Sequence, residues 1–121
     1  MSASIRLVSV GQCKIPPATG FLLSAKWPRQ WPRAALLPDH WLRRVLPTDE
    51  LVAWMHADPA RWPTFCDIYW SDLAANPARW QVLSEAMKQG ELVLLHACGE
   101  GQYTAARALE QFLRQREAQA A

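Results

Sequence analysis

The chain has 121 residues, half of them hydrophobic, and a formal net charge of only +2. This length makes one domain, which can bury enough apolar surface to fold without disulfides or metals. Seven tryptophans and the high hydrophobic content favour a folded rather than a disordered chain, and no apolar run approaches the roughly 20 residues of a membrane-spanning helix.

Two short apolar runs near the N-terminus predict strands. The first is SIRLVSV at residues 4–10, which is rich in β-branched side chains and is followed by Gly11. The second is GFLLSA at residues 20–25, and the prolines between the two runs predict a loop. The second run leads into KWPRQWPR at residues 26–33, where the triplet WPR occurs twice, four residues apart.

Helix signals dominate from Pro38 onward. Thr48 is the predicted N-cap of a helix over residues 49–56. The segments Asp58-Pro-Ala-Arg-Trp62 and Asn76-Pro-Ala-Arg-Trp80 then repeat after eighteen residues. Each predicts an Asx cap followed by proline at the first helical position. The helix after the second segment is predicted to end at Gly90 in a left-handed conformation.

The C-terminal third predicts a buried strand followed by a helix. Residues 91–98 (ELVLLHAC) form a nearly continuous apolar run, which is typical of a strand buried on both faces in a parallel sheet. A final helix is predicted to begin near Gln102. The order of elements predicts one α/β domain over residues 1–121, with a small, mostly parallel sheet of about three or four strands covered by helices. Its C-terminal two-thirds should be helix-rich.

The charge is unevenly distributed along the chain. Residues 1–47 carry seven Lys and Arg against one Asp, a net charge of +6, whereas residues 48–121 carry six cations and ten acids, a net charge of −4. A basic segment can steer anions to one face of a domain, and the phosphates of nucleotides or nucleic acids would suit it. Alternatively, the two parts neutralise each other within the fold. The sequence leaves both interpretations open.

The turn after residues 91–98 is the candidate ligand site. Open α/β sheets bind ligands at the carboxyl ends of their strands, and a glycine-bearing turn before a helix presents backbone N–H groups to an anion. The turn lacks the third glycine of a dinucleotide fingerprint and the Gly-Lys-Ser/Thr of a phosphate-binding loop, so a purely structural turn is the alternative. The predicted ligand-binding residues, here and in the basic segment, are Lys26, Arg29, His96, Cys98, Gly99, Glu100, Gly101 and Tyr103.

The cysteines and histidines indicate neither a disulfide framework nor a metal site. Three cysteines, an odd number without paired metal spacing, are typical of reduced thiols in the cytoplasm. The N-terminus lacks the apolar stretch of a secretory signal, so we expect a cytoplasmic protein. His40, His56 and His96 are too far apart in sequence for a metal-binding pair. We expect no metal, no cofactor and no membrane association, and we assign no catalytic residue.

Several motifs occur in an order that points to a family. They are Trp27-Pro-Arg29 after a strand, Trp41-Leu42, Pro47-Thr-Asp-Glu-Leu51, His56-Ala-Asp-Pro-Ala-Arg-Trp62 and Leu94-Leu-His-Ala-Cys98. Over about residues 20–113 this order resembles the YeaO-like branch of the uncharacterised family called domain of unknown function 488. The resemblance implies an α/β fold and brings no established activity with it.

The chain departs from this family at polar positions. Ser24-Ala25 stand where the family has Asp-Arg, Gln30 where it has glycine, and Tyr103-Thr104-Ala105 where it has a His-Asn-His-like cluster. The resemblance implies that most of a polar site is missing here, which leaves Arg29, Glu100 and the Trp27–Pro28 frame. Trp31-Pro32-Arg33 has no counterpart in the family, and we interpret it as a surface feature or an extra plug.

These observations favour a small module that binds an anion, a nucleotide or a nucleic-acid phosphate without strong catalytic apparatus. Two alternatives stay open. A hydrolase or transferase acting on a nucleotide would use Glu100 or His96 as acid or base and Cys98 as nucleophile. A scaffold role would use exposed tryptophans to bind another protein or a second copy of the chain.

Overall fold

The described part of the chain contains one parallel β-sheet of three strands, β1 (Ser4–Ser9), β2 (Phe21–Leu23) and β3 (Glu91–His96), in the spatial order β1-β3-β2. Because the strands are parallel, their carboxyl ends lie along one edge of the sheet. The computed structural model describes residues 4–12, 20–24, 27–36, 38–97 and 104–120.

The register of the sheet places β3 at its centre. Ser9 of β1 and Leu23 of β2 both pair with His96, the last residue of β3. The four apolar residues of β3 before His96 are all buried, as the continuous apolar run predicted. A central strand loses water on both faces, which is why its sequence does not alternate.

One face of the sheet is covered by helices. The described residues form four α-helices: α1 (Asp49–Ala57), α2 (Trp62–Ala75), α3 (Gln81–Met87) and α4 (Ala105–Ala120). Each helix contributes buried side chains to a single core that includes Leu92 and Leu94 of β3. The α/β fold class predicted from the sequence is confirmed. None of the described helices combines the length and the hydropathy that crossing a bilayer requires.

Residues 27–36 and 38–41 cover the opposite face. Trp31 is 3% exposed and packs with Val93 and Leu95 of β3 in a second core. Trp27 and Trp41 pack against this core from its edge. The prediction that helices cover the sheet therefore holds for one face. Short 3-10 turns and tryptophans cover the other face. Of the two roles predicted for the segment Trp31-Pro32-Arg33, a surface feature or an extra plug, Trp31 has the second, because its side chain is buried against the sheet.

Three of the four predicted helix-boundary signals are confirmed, and one is wrong. The Thr48 hydroxyl accepts a hydrogen bond from the Leu51 N–H at 3.2 Å, and the Asp58 carboxylate accepts one from the Ala60 N–H at 3.1 Å. Gly90 has the predicted positive φ, 127°, although α3 itself already ends at Met87. Asn76 does not cap the turn that follows it. Its amide instead donates to the Asp72 carbonyl oxygen at 2.8 Å, back toward α2.

Candidate functional site

A cleft of about 680 Å³ opens at the carboxyl edge of the sheet. Its wall includes the residue that follows each strand: Val10 after β1, Ser24 after β2 and Ala97 after β3. Ala105, the first residue of α4, also lines it. Open parallel sheets bind ligands at this edge, and the volume is in the range of small-molecule sites. A cleft of suitable size therefore lies at the carboxyl ends of the described strands.

The first WPR triplet forms one wall of the cleft through Trp27 and Pro28. The Trp27 indole N–H donates to the Trp31 carbonyl oxygen at 3.0 Å, and the ring meets those of Trp31 and Trp41 edge to face. These contacts fix the orientation of the indole. Gln30 lines the same wall, where its amide donates to the Val10 carbonyl oxygen at 3.3 Å.

Helix α1 forms a second wall through Asp49, Val52 and His56. Residues separated by three and four positions share one face of a helix, so this spacing turns all three toward the cleft. The Thr48 cap fixes where α1 begins and therefore where Asp49 stands. Asp49 lies in the first turn, where the helix dipole favours a carboxylate.

Arg43 is held at the cleft by its neighbours in the chain. The Leu42 N–H donates to the Leu22 carbonyl oxygen at 2.8 Å, which ties this segment to the edge of β2. The Trp41 indole N–H donates to the Ser24 carbonyl oxygen at 2.8 Å. The Arg43 guanidinium carbon lies 3.7 Å from the centre of a Trp41 ring. This stacking is a cation–π contact, and it leaves the N–H groups of Arg43 free to bind a ligand.

Three polar side chains of the described structure, with charges of both signs among them, face the cleft without a hydrogen bond or an ion pair. Arg43, Asp49 and His56 line it and are exposed. In the described structure none of the three makes a hydrogen bond or an ion pair with another residue. The cleft thus offers a donor group, an acceptor group and an imidazole to a bound molecule.

His96, a predicted site residue, is buried beside the cleft. It ends β3 and is 7% exposed, whereas the next residue, Ala97, is part of the cleft wall. Burial lowers the pKa of the imidazole, and the positive charge of Arg107 lowers it further. The ring is therefore neutral at pH 7. Its position in β3 places it on the same face of the sheet as Leu94, toward the helices.

Arg29 is exposed and lies between two residues of the cleft wall, Pro28 and Gln30. Its own side chain does not belong to the wall formed by the described residues. The structure therefore does not bring Arg29 and His96 together at the cleft surface, and their roles as ligand contacts stay predictions. The other predicted site residues lie outside the described residues: Lys26, Cys98, Gly99, Glu100, Gly101 and Tyr103.

The sequence analysis did not identify Arg43, Asp49 or His56 as site residues. The spacing of Asp49, Val52 and His56 was a usable signal, but residues 49–56 were interpreted only as a helix. Arg43 carried no signal, because its position depends on pairing between Leu42 and β2. Within the described ranges, no group of three His, Cys, Asp or Glu side chains could hold a metal ion.

A family model described as the inactive DUF488-N3 subclade matches residues 9–121. No curated protein and no solved structure matches the chain. The matched range includes all the motifs by which the sequence resembles this family, together with both walls of the cleft. The chain therefore belongs to the family called domain of unknown function 488, in its inactive N3 subclade.

Proposed function

We propose that this protein is a non-catalytic module that binds a small phosphate-bearing ligand, a nucleotide, in the cleft at the carboxyl edge of the sheet. One observation carries the proposal. The residues after all three strands meet at a cleft of about 680 Å³, and Arg43 presents an unpaired guanidinium there. A guanidinium binds phosphate oxygens through two parallel hydrogen bonds.

The distribution of exposed cations supports an anionic ligand. Arg29, Arg43 and Arg44 are exposed and have no acidic partner among the described residues. They belong to the basic N-terminal part of the sequence. Arg6, from the same part, pairs with Glu91 at 3.5 Å, so the fold neutralises some of this charge internally. The cations near the cleft are not neutralised in this way.

The apolar wall of the cleft supports a ligand that also carries a ring. Leu23, Leu46 and Val52 line it together with Trp27. Apolar and aromatic walls with a few polar groups are typical of sites for small organic molecules, and aromatic side chains stack on nucleobases. A nucleotide combines such a ring with the phosphate that Arg43 would bind.

Binding without catalysis agrees with the available chemistry. The family model is described as inactive, and this description supports the proposal for the present chain. Cys66 is buried, and its pKa is raised to about 11, so it is a poor nucleophile. Cys98 and Glu100, on which an enzymatic alternative would depend, lie outside the described residues.

Titration calorimetry on the full chain tests the proposal. The probes are AMP, ATP, inorganic phosphate and a short single-stranded DNA, each at about 50 mM and about 200 mM salt. We expect saturable binding of AMP or ATP that weakens at the higher salt concentration. Arg43→Gln should weaken binding about tenfold, since a charged hydrogen-bond donor is lost. Arg44→Gln removes the same charge from an adjacent exposed residue and should change the affinity by less than about twofold.

Two results would contradict the proposal. The first is the absence of binding to every probe at low salt. The second is an equal loss of affinity in the Arg43 and Arg44 variants, because this would indicate diffuse attraction rather than a site. Binding to the DNA with no binding to AMP or ATP would identify nucleic-acid phosphate as the source of the ligand. Arg29→Gln is expected to weaken binding by a smaller factor than Arg43→Gln, since Arg29 flanks the wall.

A further inference from the structure

We infer that the cleft selects a nucleotide whose base carries an exocyclic amino group, and that Asp49 recognises this group. The inference rests on the proposed function, because it concerns the specificity of the same cleft. The observation behind the inference is that two residues of opposite charge, Arg43 and Asp49, both line the cleft.

The two charged groups do not neutralise each other. Arg43 and Asp49 form no ion pair, because no Arg43 nitrogen lies within 4.0 Å of an Asp49 carboxylate oxygen. Asp49 also accepts no hydrogen bond from the described protein. Both groups are exposed, so both can contact a molecule that enters the cleft.

Their chemistry fixes the orientation of a nucleotide. An ionised carboxylate only accepts hydrogen bonds, so its complement is an N–H donor. It also repels phosphate, whereas Arg43 attracts it. A nucleotide therefore binds with its phosphate toward Arg43 and its ring toward Asp49. An amino group on the ring donates to Asp49, and a ring without this donor leaves the carboxylate unmatched.

The surroundings of Asp49 strengthen this discrimination. Val52 is the next residue of α1 that lines the cleft, and Trp27 provides the aromatic wall. Once a ring fills this apolar space, water reaches the carboxylate less easily. Sites that hydrogen-bond a particular group reject analogues lacking that group, because their own polar atoms are then left unpaired.

The alternative explanation of Asp49 is that it only stabilises the start of α1. Glu50 separates the two explanations. It lies in the same first turn, is exposed and carries the same charge, but it is not part of the cleft wall. Any effect of a carboxylate on the helix dipole should be common to both residues, whereas an effect on ligand choice should be confined to Asp49.

The test compares AMP and CMP with their analogues in which hydrogen replaces the amino group. Titration calorimetry gives each Kd for the full chain and for the variants Asp49→Asn and Glu50→Gln. We expect whichever of AMP and CMP binds more tightly to bind about tenfold better than its analogue. Asp49→Asn should reduce this preference to about twofold or less, because an amide is a weaker, uncharged acceptor. Glu50→Gln should retain the full preference.

The outcomes separate this inference from the proposed function. Equal affinity of the wild-type chain for each nucleotide and its analogue would overturn the role of Asp49. The proposed function would survive that result if Arg43→Gln still weakened binding. A preference that persists in Asp49→Asn, or that also disappears in Glu50→Gln, would likewise overturn the inference. Absence of binding to all four compounds would overturn the inference, whereas the proposed function falls only if ATP, inorganic phosphate and the DNA also fail to bind.

Discussion

Burial determines the protonation of His96 and Cys66. His96 ends the central strand, where burial and then the charge of Arg107 lower its pKa below the ordinary value of 6.5. Cys66 belongs to α2 and lies in the core, where burial and then the charge of Asp67 raise its pKa to about 11. Both side chains are therefore neutral at pH 7. The ionisable side chains that line the described cleft are all exposed.

His96 should make the protein less stable in mild acid. Its folded-state pKa is lower than the unfolded value near 6.5, so between the two values the unfolded chain binds more protons. The free energy of unfolding is highest above about pH 6.5 and falls as the pH drops toward the folded-state pKa. Urea unfolding at about pH 7.5 and about pH 5.5 should show this fall in the wild-type chain. The free energy of unfolding should change less with pH in His96→Gln than in the exposed-histidine control His56→Gln. An identical pH dependence in the two variants would contradict the account.

Cys66 should resist alkylation in the folded protein. The thiolate is the reactive form, and a thiol that is 3% exposed with a raised pKa forms it rarely. We expect iodoacetamide at about pH 8 to leave Cys66 unmodified until the chain is unfolded in urea, as measured by mass spectrometry of the Cys66 peptide. The unfolded sample is the control. Equal rates in the two samples would show that the thiol is not buried as described.

The helix and strand boundaries differ in how far the sequence determined them. β3 and the start of α1 depend on local patterns, a continuous apolar run and a Thr cap, and both were predicted. Asn76 was predicted as a cap because it precedes proline, as Asp58 does. Its amide instead binds the Asp72 carbonyl, since the end of α2 offers an unsatisfied acceptor one turn away. The Asn-Pro motif does not show whether the asparagine side chain bonds to the helix before it or to the turn after it.

Gly90 should be less replaceable than Gly11. It joins α3 to β3 with a φ of 127°, which side chains rarely adopt, although a Cβ there would meet no atom within 4 Å. Gly90→Ala should therefore lower the free energy of unfolding by about 1–3 kcal/mol through backbone strain alone. Gly11→Ala is the matched control. Its Cβ would meet the Ser9 hydroxyl oxygen at an ordinary 3.8 Å, at a backbone without positive φ.

For this glycine pair, urea unfolding measured by circular dichroism gives both differences. The Gly11 variant should stay within about 0.5 kcal/mol of the wild-type chain. Equal losses in the two variants would show that φ at Gly90 is not the cause.

At the scale of the whole molecule, the sheet is closed by two different layers. Helices α1 to α4 cover one face, and residues 27–36 and 38–41 cover the other through Trp31 and Leu36. The fold class could be predicted because helix caps, helical spacing and the continuous apolar run of β3 are local signals. The second cover could not, because Trp27 and Trp31 each precede a proline and belong to no regular helix or strand. Arg43 was missed because the long-range pairing of Leu42 with β2 places it.

Trp31 should contribute strongly to the stability of the whole domain. It is 3% exposed and fills the second core, whereas Trp54 is 37% exposed on α1. Trp31→Ala should lower the free energy of unfolding by about 3–5 kcal/mol because it leaves a cavity against β3. Trp54→Ala should lower it by about 1 kcal/mol or less, mainly through its contact with Arg61. Similar losses in chemical denaturation would contradict the two-layer description.

The most direct test of the proposed binding site is a chemical-shift map of the full chain during titration with AMP. We expect the largest changes in the backbone amides of Val10, Ser24, Ala97 and Ala105 and in the Trp27 indole N–H, all of which belong to the cleft wall. A smaller depression of about 350 Å³, lined by residues of α2 and α4 such as Trp70 and Phe112, provides the internal comparison. Changes centred on that depression, or no changes at saturating AMP, would contradict the account.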